Sequence, residues 1–186
     1  MKRLFLALAA VAIVAGCAPR NPDFQPPAEL AQVSYRNAGP TSLTLYTVIN
    51  RRSGAGAHTA LEVNASETVL FDPAGSFKAE GVPRSGDVLY GFSPAVEKAY
   101  SSSHARSTFY VRKVNIPVTP EVAAMALQKV KANGPVAAAH CAQSTSAILQ
   151  TLPGFQHVQR TFYPKQLEAQ VVSLPGATSD SIVEED

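Results

Sequence analysis

The clearest pattern of apolar and polar positions is a two-residue period in residues 42–49. In Ser42–Ile49, Leu43, Leu45, Thr47 and Ile49 alternate with Ser42, Thr44, Tyr46 and Val48, and β-branched and aromatic side chains dominate, which predicts a strand. Arg51–Gly56 is a turn, His58–Val63 a second strand, Asn64-Ala-Ser a tight connection and Glu67–Phe71 a third strand. Asp72-Pro73-Ala74-Gly75 ends that strand, because Pro donates nothing to a ladder. Three strands with short links make an antiparallel meander. Ser76–Arg106 carries scattered Gly and Pro and the run Ser101-Ser-Ser, and reads as mostly loop with short elements, a candidate flap. Thr108–Val118 is a fourth strand.

The period then lengthens. Thr119-Pro120-Glu121 supplies an N-cap, a Pro at the first helical position and an acid in the first turn. Val122, Met125, Ala126 and Val130 give that helix an apolar face as far as Asn133-Gly134. A second helix starts close to Cys141, runs through Ile148-Leu149 and stops at Pro153-Gly154; a third, short one follows Pro164 in Lys165–Gln170. The acidic tail from Ser179 reads as frayed. The fold class is α+β, an antiparallel sheet meander packed against a few helices.

The N-terminus is a separate matter. Lys2 and Arg3 precede an uninterrupted apolar stretch of 11 residues, Leu4–Val14. At about 1.5 Å per residue it covers roughly half of a hydrocarbon core ~30 Å thick, so it reads as a signal-peptide core, not a spanning helix. Ala15-Gly16-Cys17 closes it and resembles the lipobox of bacterial lipoproteins, which implies cleavage before Cys17 and its lipidation. The Pro-rich stretch Ala18–Gly39 reads as a tether unable to hold a helix. Ala18 in place of Asp implies, by that same resemblance, an outer-membrane address facing the periplasm. The divisions are therefore 1–16 signal peptide, 17–40 lipidated Cys and tether, 41–175 domain and 176–186 tail. A net charge of +2 with dispersed Lys and Arg excludes a nucleic-acid surface.

With Cys17 lipidated, Cys141 has no intramolecular disulfide partner in an oxidising compartment. It is then inert, paired between chains, or used. Its place at a predicted helix N-terminus favours use, since the helix dipole and free N–H groups stabilise a thiolate. A thiolate nucleophile needs an imidazole to carry its proton and a polar group to hold the ring. His58, just after a Gly-containing turn, and Asp72, at the end of the neighbouring strand, can meet at one sheet edge. His140 and Gln143 are candidates to line the site, whereas His104 and His157 are assigned to solvent. No metal or other cofactor is implied, because the histidines lack zinc-type spacing.

The order of Ala57-His58-Thr-Ala-Leu-Glu-Val63, Thr68-Val-Leu-Phe-Asp72 and His140-Cys141-Ala-Gln-Ser-Thr-Ser146 resembles the circularly permuted NlpC/P60 papain-like hydrolases, whose cysteine helix comes last; Tyr163-Pro-Lys-Gln-Leu167 resembles a Pro-x-x-Leu element that follows it. The resemblance implies a permuted papain-like fold over roughly residues 42–170. It also implies Cys141 as nucleophile, His58 as base and Asp72 as orienting residue. The lecithin:retinol acyltransferase-like branch places Asn before its Cys, where His140 stands, and an aromatic and Gly near Glu62. Those departures point away from retinoid or phospholipid acyl transfer and leave a thiol hydrolase open. The envelope address makes a peptidoglycan stem-peptide amide the leading substrate, with a lipid ester or lipoprotein amide behind it. The alternatives are an inactive lipoprotein binding an envelope peptide, glycan or protein, and a dimer bridged through Cys141.

Overall fold

The computed structural model describes residues 24–185; the signal peptide, Cys17 and the first part of the tether lie outside the described residues. Its strands are β1 (Ser42–Asn50), β2 (Gly56–Asn64), β3 (Thr68–Phe71), β4 (Arg84–Ser85), β5 (Val88–Leu89), β6 (Phe109–Pro117) and β7 (Thr178–Ile182). The helices are α1 (Pro27–Gln32), α2 (Pro94–His104), α3 (Pro120–Ala132), α4 (Cys141–Leu149) and α5 (Pro164–Val171). All the strands form one antiparallel sheet in the order β4-β5-β3-β2-β1-β6-β7, so the predicted meander β1-β2-β3 is extended on both sides.

Alternation along the central strands divides the core into two layers. Leu43 and Leu45 of β1, Leu61 and Val63 of β2, Val69 and Phe71 of β3, and Val114 and Ile116 of β6 meet α3, α4 and α5. On the opposite face Tyr46, Val48, Ala60, Leu70, Leu89 and Val111 pack with Phe92 and with Tyr100 of α2. Because both faces are covered, β1 is buried along almost its whole length, Thr44, Tyr46 and Thr47 included.

Several expectations are corrected. The segment 76–106 holds short elements in loop, as expected, but also more helix than the sequence suggests. It contains the β4–β5 hairpin and the 11-residue helix α2, whose N-cap Ser93 accepts from the Val96 N–H and whose first residue is Pro94. The tether is not free of helix. Pro27 opens the short α1, Leu30 and Val33 pack on the core, and the Tyr35 carbonyl accepts from the Thr68 N–H at 2.6 Å. The tail, read as frayed, forms β7 against β6, and Arg51 holds the Glu184 carbonyl at 2.6 Å and the Glu185 carboxylate at 2.8 Å. In α3 the buried face is Val122, Ala123, Ala126, Leu127 and Val130, with Met125 exposed.

Helix α4 carries Cys141 at its first position and anchors itself through Leu149, which is fully buried. Leu149→Ala leaves a cavity in the core, so urea denaturation should show a loss of about 2–5 kcal/mol of stability.

Candidate active site

The site forms where the β2–β3 ladder ends. Pairing between these strands covers Leu61–Asn64 with Thr68–Phe71 and stops at Leu61 opposite Phe71. The first half of β2 therefore has an outer edge that β3 does not cover, and the start of α4 sits there. The Thr59 backbone N–H at that edge faces the Cys141 sulfur and favours its thiolate. Two residues earlier the β1–β2 register skips Ala57, between the pairs Val48–His58 and Ile49–Gly56. Such a bulge re-aims the side chain beside it, here His58.

His58 Nε2 lies 2.7 Å from Oδ1 of Asp72. Asp72 follows β3 directly and is completely buried. Its carboxylate collects two further donors, the Arg84 guanidinium on Oδ2 at 2.6 Å and the Tyr100 hydroxyl on Oδ1 at 3.1 Å. Arg84 also donates to the Asp72 carbonyl at 3.2 Å. With Nε2 committed to Asp72, the hydrogen bond between His58 and the Cys141 thiol falls to Nδ1. Cys141, His58 and Asp72, drawn from three parts of the sequence, are thus brought together, with Asp72 bonded to the ring and the ring interacting with the thiol.

The loops on either side are held by a second acid. Asp87 Oδ2 accepts from the Val136 N–H at 2.7 Å and the Ala74 N–H at 3.0 Å, tying the segment before Cys141 to the turn after Asp72. Arg84 stands 3.7 Å from the Asp87 carboxylate. The two non-glycine residues with positive φ among the described residues are Ala74 at 58° and Ala139 at 65°, one in each of these loops. Strained backbone of this kind persists only where its surroundings over-determine it. Gly75 is required by space: a Cβ there would stand 1.8 Å from Asp72 Oδ2.

Electrostatics follow from this packing. Burial alone would lower the His58 pKa, but the hydrogen bonds and charges of Asp72 and Cys141 outweigh it and raise it to about 9. Burial would raise the Asp72 pKa, yet His58 and Arg84 hold it down at about 2. Burial also opposes the Cys141 thiolate. His58 and the N–H groups of Thr59 and Ala142 more than offset that, and the thiol pKa is lowered. The arrangement therefore favours a thiolate–imidazolium pair.

The other predicted residues divide. His140 is the N-cap residue of α4, its Nδ1 at 2.8 Å from the Ala138 carbonyl and its ring edge-on to Phe162. Gln143 is half-buried in the first turn of α4, and its side chain makes no hydrogen bond to Cys141, His58 or Asp72. His157 is exposed as expected. His104 is a correction: it is the last residue of α2, half-buried, with its ring nearly parallel to that of His58 at 6.1 Å between centroids.

Arg84, Asp87 and Tyr100 were not singled out from sequence. Two signals pointed to them: Arg84 and Asp87 flank a Ser-Gly turn, and Tyr100 and His104 are four residues apart, hence on one face of a helix. Among the described residues no group of three or more His, Cys, Asp and Glu is placed to hold a metal. No protein-family model matches this chain, and no curated protein or solved structure matches it either.

The sign of the pH dependence is fixed by these shifts. Asp72 is depressed below its ordinary value of roughly 3.9, so its stabilising contribution is present above that value and is lost as pH falls through about 2. Urea midpoints of the wild type should fall between these limits, and Asp72→Asn should remove that component while lowering stability throughout. In an NMR titration the His58 ring of the wild type should titrate near 9, and lower in Asp72→Asn or Cys141→Ala.

Proposed function

We propose that this protein is a cell-envelope lipoprotein, anchored through lipidated Cys17, with thiol hydrolase activity in a permuted papain-like domain. The observation that carries the reading is the chain Asp72–His58–Cys141, with the sulfur at the first position of α4. The order of histidine strand, acid and cysteine helix supports the permuted papain-like assignment, as does the packing of α4 against β2.

The Cys141 thiolate attacks the carbonyl carbon of an amide, and the electrons of the C=O bond move to oxygen. The Cys141 backbone N–H, at the free N-terminal end of α4, is positioned to stabilise that oxyanion. Collapse of the intermediate breaks the C–N bond while His58 Nδ1 gives its proton to the departing amine, leaving a thioester. Water then attacks the thioester, with His58 taking the proton, and the acid and the thiolate are released. Asp72 holds the ring so that Nδ1 faces sulfur in both steps. The leading substrate is a peptidoglycan stem-peptide amide, the acyl donor accessible to a protein held at the outer membrane and facing the periplasm.

The test is the alkylation rate of Cys141 from pH 4 to 10, read on its own peptide by mass spectrometry so that Cys17 is kept apart. Fast labelling should persist well below the free-thiol pKa of about 8.5. His58→Ala should slow it by roughly tenfold or more at pH 6, and Cys141→Ala should abolish release of amine from stem peptides without unfolding the chain. A rate that tracks an ordinary thiol, with or without His58, refutes the hydrolase and leaves an envelope-binding lipoprotein.

A further inference from the structure

Two more histidines border the Cys141–His58 pair. His104 ends α2, and its ring lies within 14° of parallel to that of His58. His140 directly precedes the nucleophile, its ring 5.3 Å from that of the half-exposed Phe162. Each sets Nδ1 against a backbone carbonyl at 2.8 Å, Tyr100 for His104 and Ala138 for His140. A carbonyl oxygen only accepts, so Nδ1 is the donor towards it in both rings, with the Ser103 hydroxyl a further neighbour of His104 Nδ1 at 3.0 Å; a neutral ring so held offers Nε2 as an acceptor. Among the described residues neither Nε2 has a hydrogen-bond partner.

His104 also stays neutral beside an imidazolium. Burial lowers its pKa and the His58 charge lowers it further, against the opposing pull of the Tyr100 carbonyl and Asp72. A half-buried acceptor is satisfied by an N–H donor and left unpaired by a group that has none. Such sites discriminate strongly against analogues lacking the donor. An amide or peptide brings N–H groups to the reacting carbonyl; an ester brings only acceptors.

We infer that His104 and His140 are specificity-determining residues, accepting hydrogen bonds from substrate N–H groups so that the site takes amides and peptides in preference to esters of the same acyl group. The inference rests on Cys141 being the nucleophile, and it assigns a role to His104 that the position of the residue in a Ser-rich run does not suggest.

Iodoacetamide and methyl iodoacetate test it, since both alkylate through the same carbon but only the first carries N–H. Their rates at the Cys141 peptide of the full chain at pH 6.5 are each divided by the rate with glutathione. The wild type should favour iodoacetamide by about fivefold beyond the glutathione ratio, the scale of one hydrogen bond. His104→Phe and His140→Phe keep a ring and lose the acceptor, and each should bring the preference back towards that of glutathione. His104→Gln, which restores an acceptor, should retain it.

A wild-type ratio equal to that of glutathione overturns the inference, as does a preference unchanged in both Phe variants. Circular dichroism identifies a variant that has lost its fold, and the wild-type ratio with His104→Gln then decides. If Cys141 reacts faster than glutathione with both reagents but without preference, only this inference fails. If it reacts no faster than glutathione with either, the nucleophile reading fails and takes the inference with it.

Discussion

A carboxylate with no exposure to water is costly unless every one of its strong acceptor sites is answered, and Asp72 is such a group. Its donors come from three separate places: the ring of His58 on β2, the guanidinium of Arg84 on β4, and the hydroxyl of Tyr100 on α2. None of these elements can be displaced without exposing or stranding the charge. The glycine at position 75 belongs to the same constraint, because the turn closes directly over the carboxylate. The ion pair with Arg84 does not by itself argue for high stability, since desolvation offsets much of the Coulomb attraction. What it does is hold the carboxylate ionised and in one orientation, which His58 requires if Nε2 is to be committed and Nδ1 left for sulfur.

The thiol of Cys141 is placed by backbone instead. The shortness of β3 leaves the edge of β2 at Thr59 uncovered, and the sulfur of Cys141 faces the N–H there. A longer β3 would have satisfied that edge and left no room for α4. The entry to α4 is bent by Ala139 in a left-handed conformation, and Asp87 holds the preceding segment through Val136. Asp72 and Asp87 therefore divide the work: one fixes the imidazole of His58, the other fixes the approach of the thiol. Arg84 faces both acids, so the two halves of the site share one cation.

The central elements were legible because their signals are local. β1, β2, β3 and β6 are rich in β-branched and large apolar residues bounded by turn residues, and Thr119-Pro120-Glu121 announces α3. The three residues of the site were legible through chemistry, as a thiol without a disulfide partner, a histidine beside a turn and an acid at a strand end. α2 carries the same kind of start as α3, Ser93-Pro94 with Glu97 in the first turn, but the Ser101-Ser-Ser run has low helix propensity and hides the rest. Packing of Tyr100 against Tyr46, Phe77 and Phe92 overrides that propensity, and no local pattern reports it. β7 is hidden for a different reason. Thr-Ser-Asp-Ser-Ile has no apolar period, and its strand conformation comes from the open edge of β6. Arg84 and Asp87 sit in a hairpin whose strands are two residues each, below the length at which periodicity can be read.

Helix α2, the one long helix on its face of the sheet among the described residues, serves the site twice. From inside, Tyr100 holds Asp72; from its last turn, His104 lies beside the ring that Asp72 orients. The two residues are also bonded to each other, because the Tyr100 carbonyl fixes the proton of His104 on Nδ1. A shift of the helix would therefore move the support of Asp72 and the ring beside His58 together. The helix is pinned away from the site by Glu97, which meets Lys113 of β6 at 2.5 Å, and by the edge-to-face contacts of Tyr100 with Tyr46 and Phe92. Aromatic rings packed in this way have few alternative arrangements. The rigidity that the charge on Asp72 demands is thus supplied by an apolar cluster on the far side of the sheet from the helix that carries the thiol.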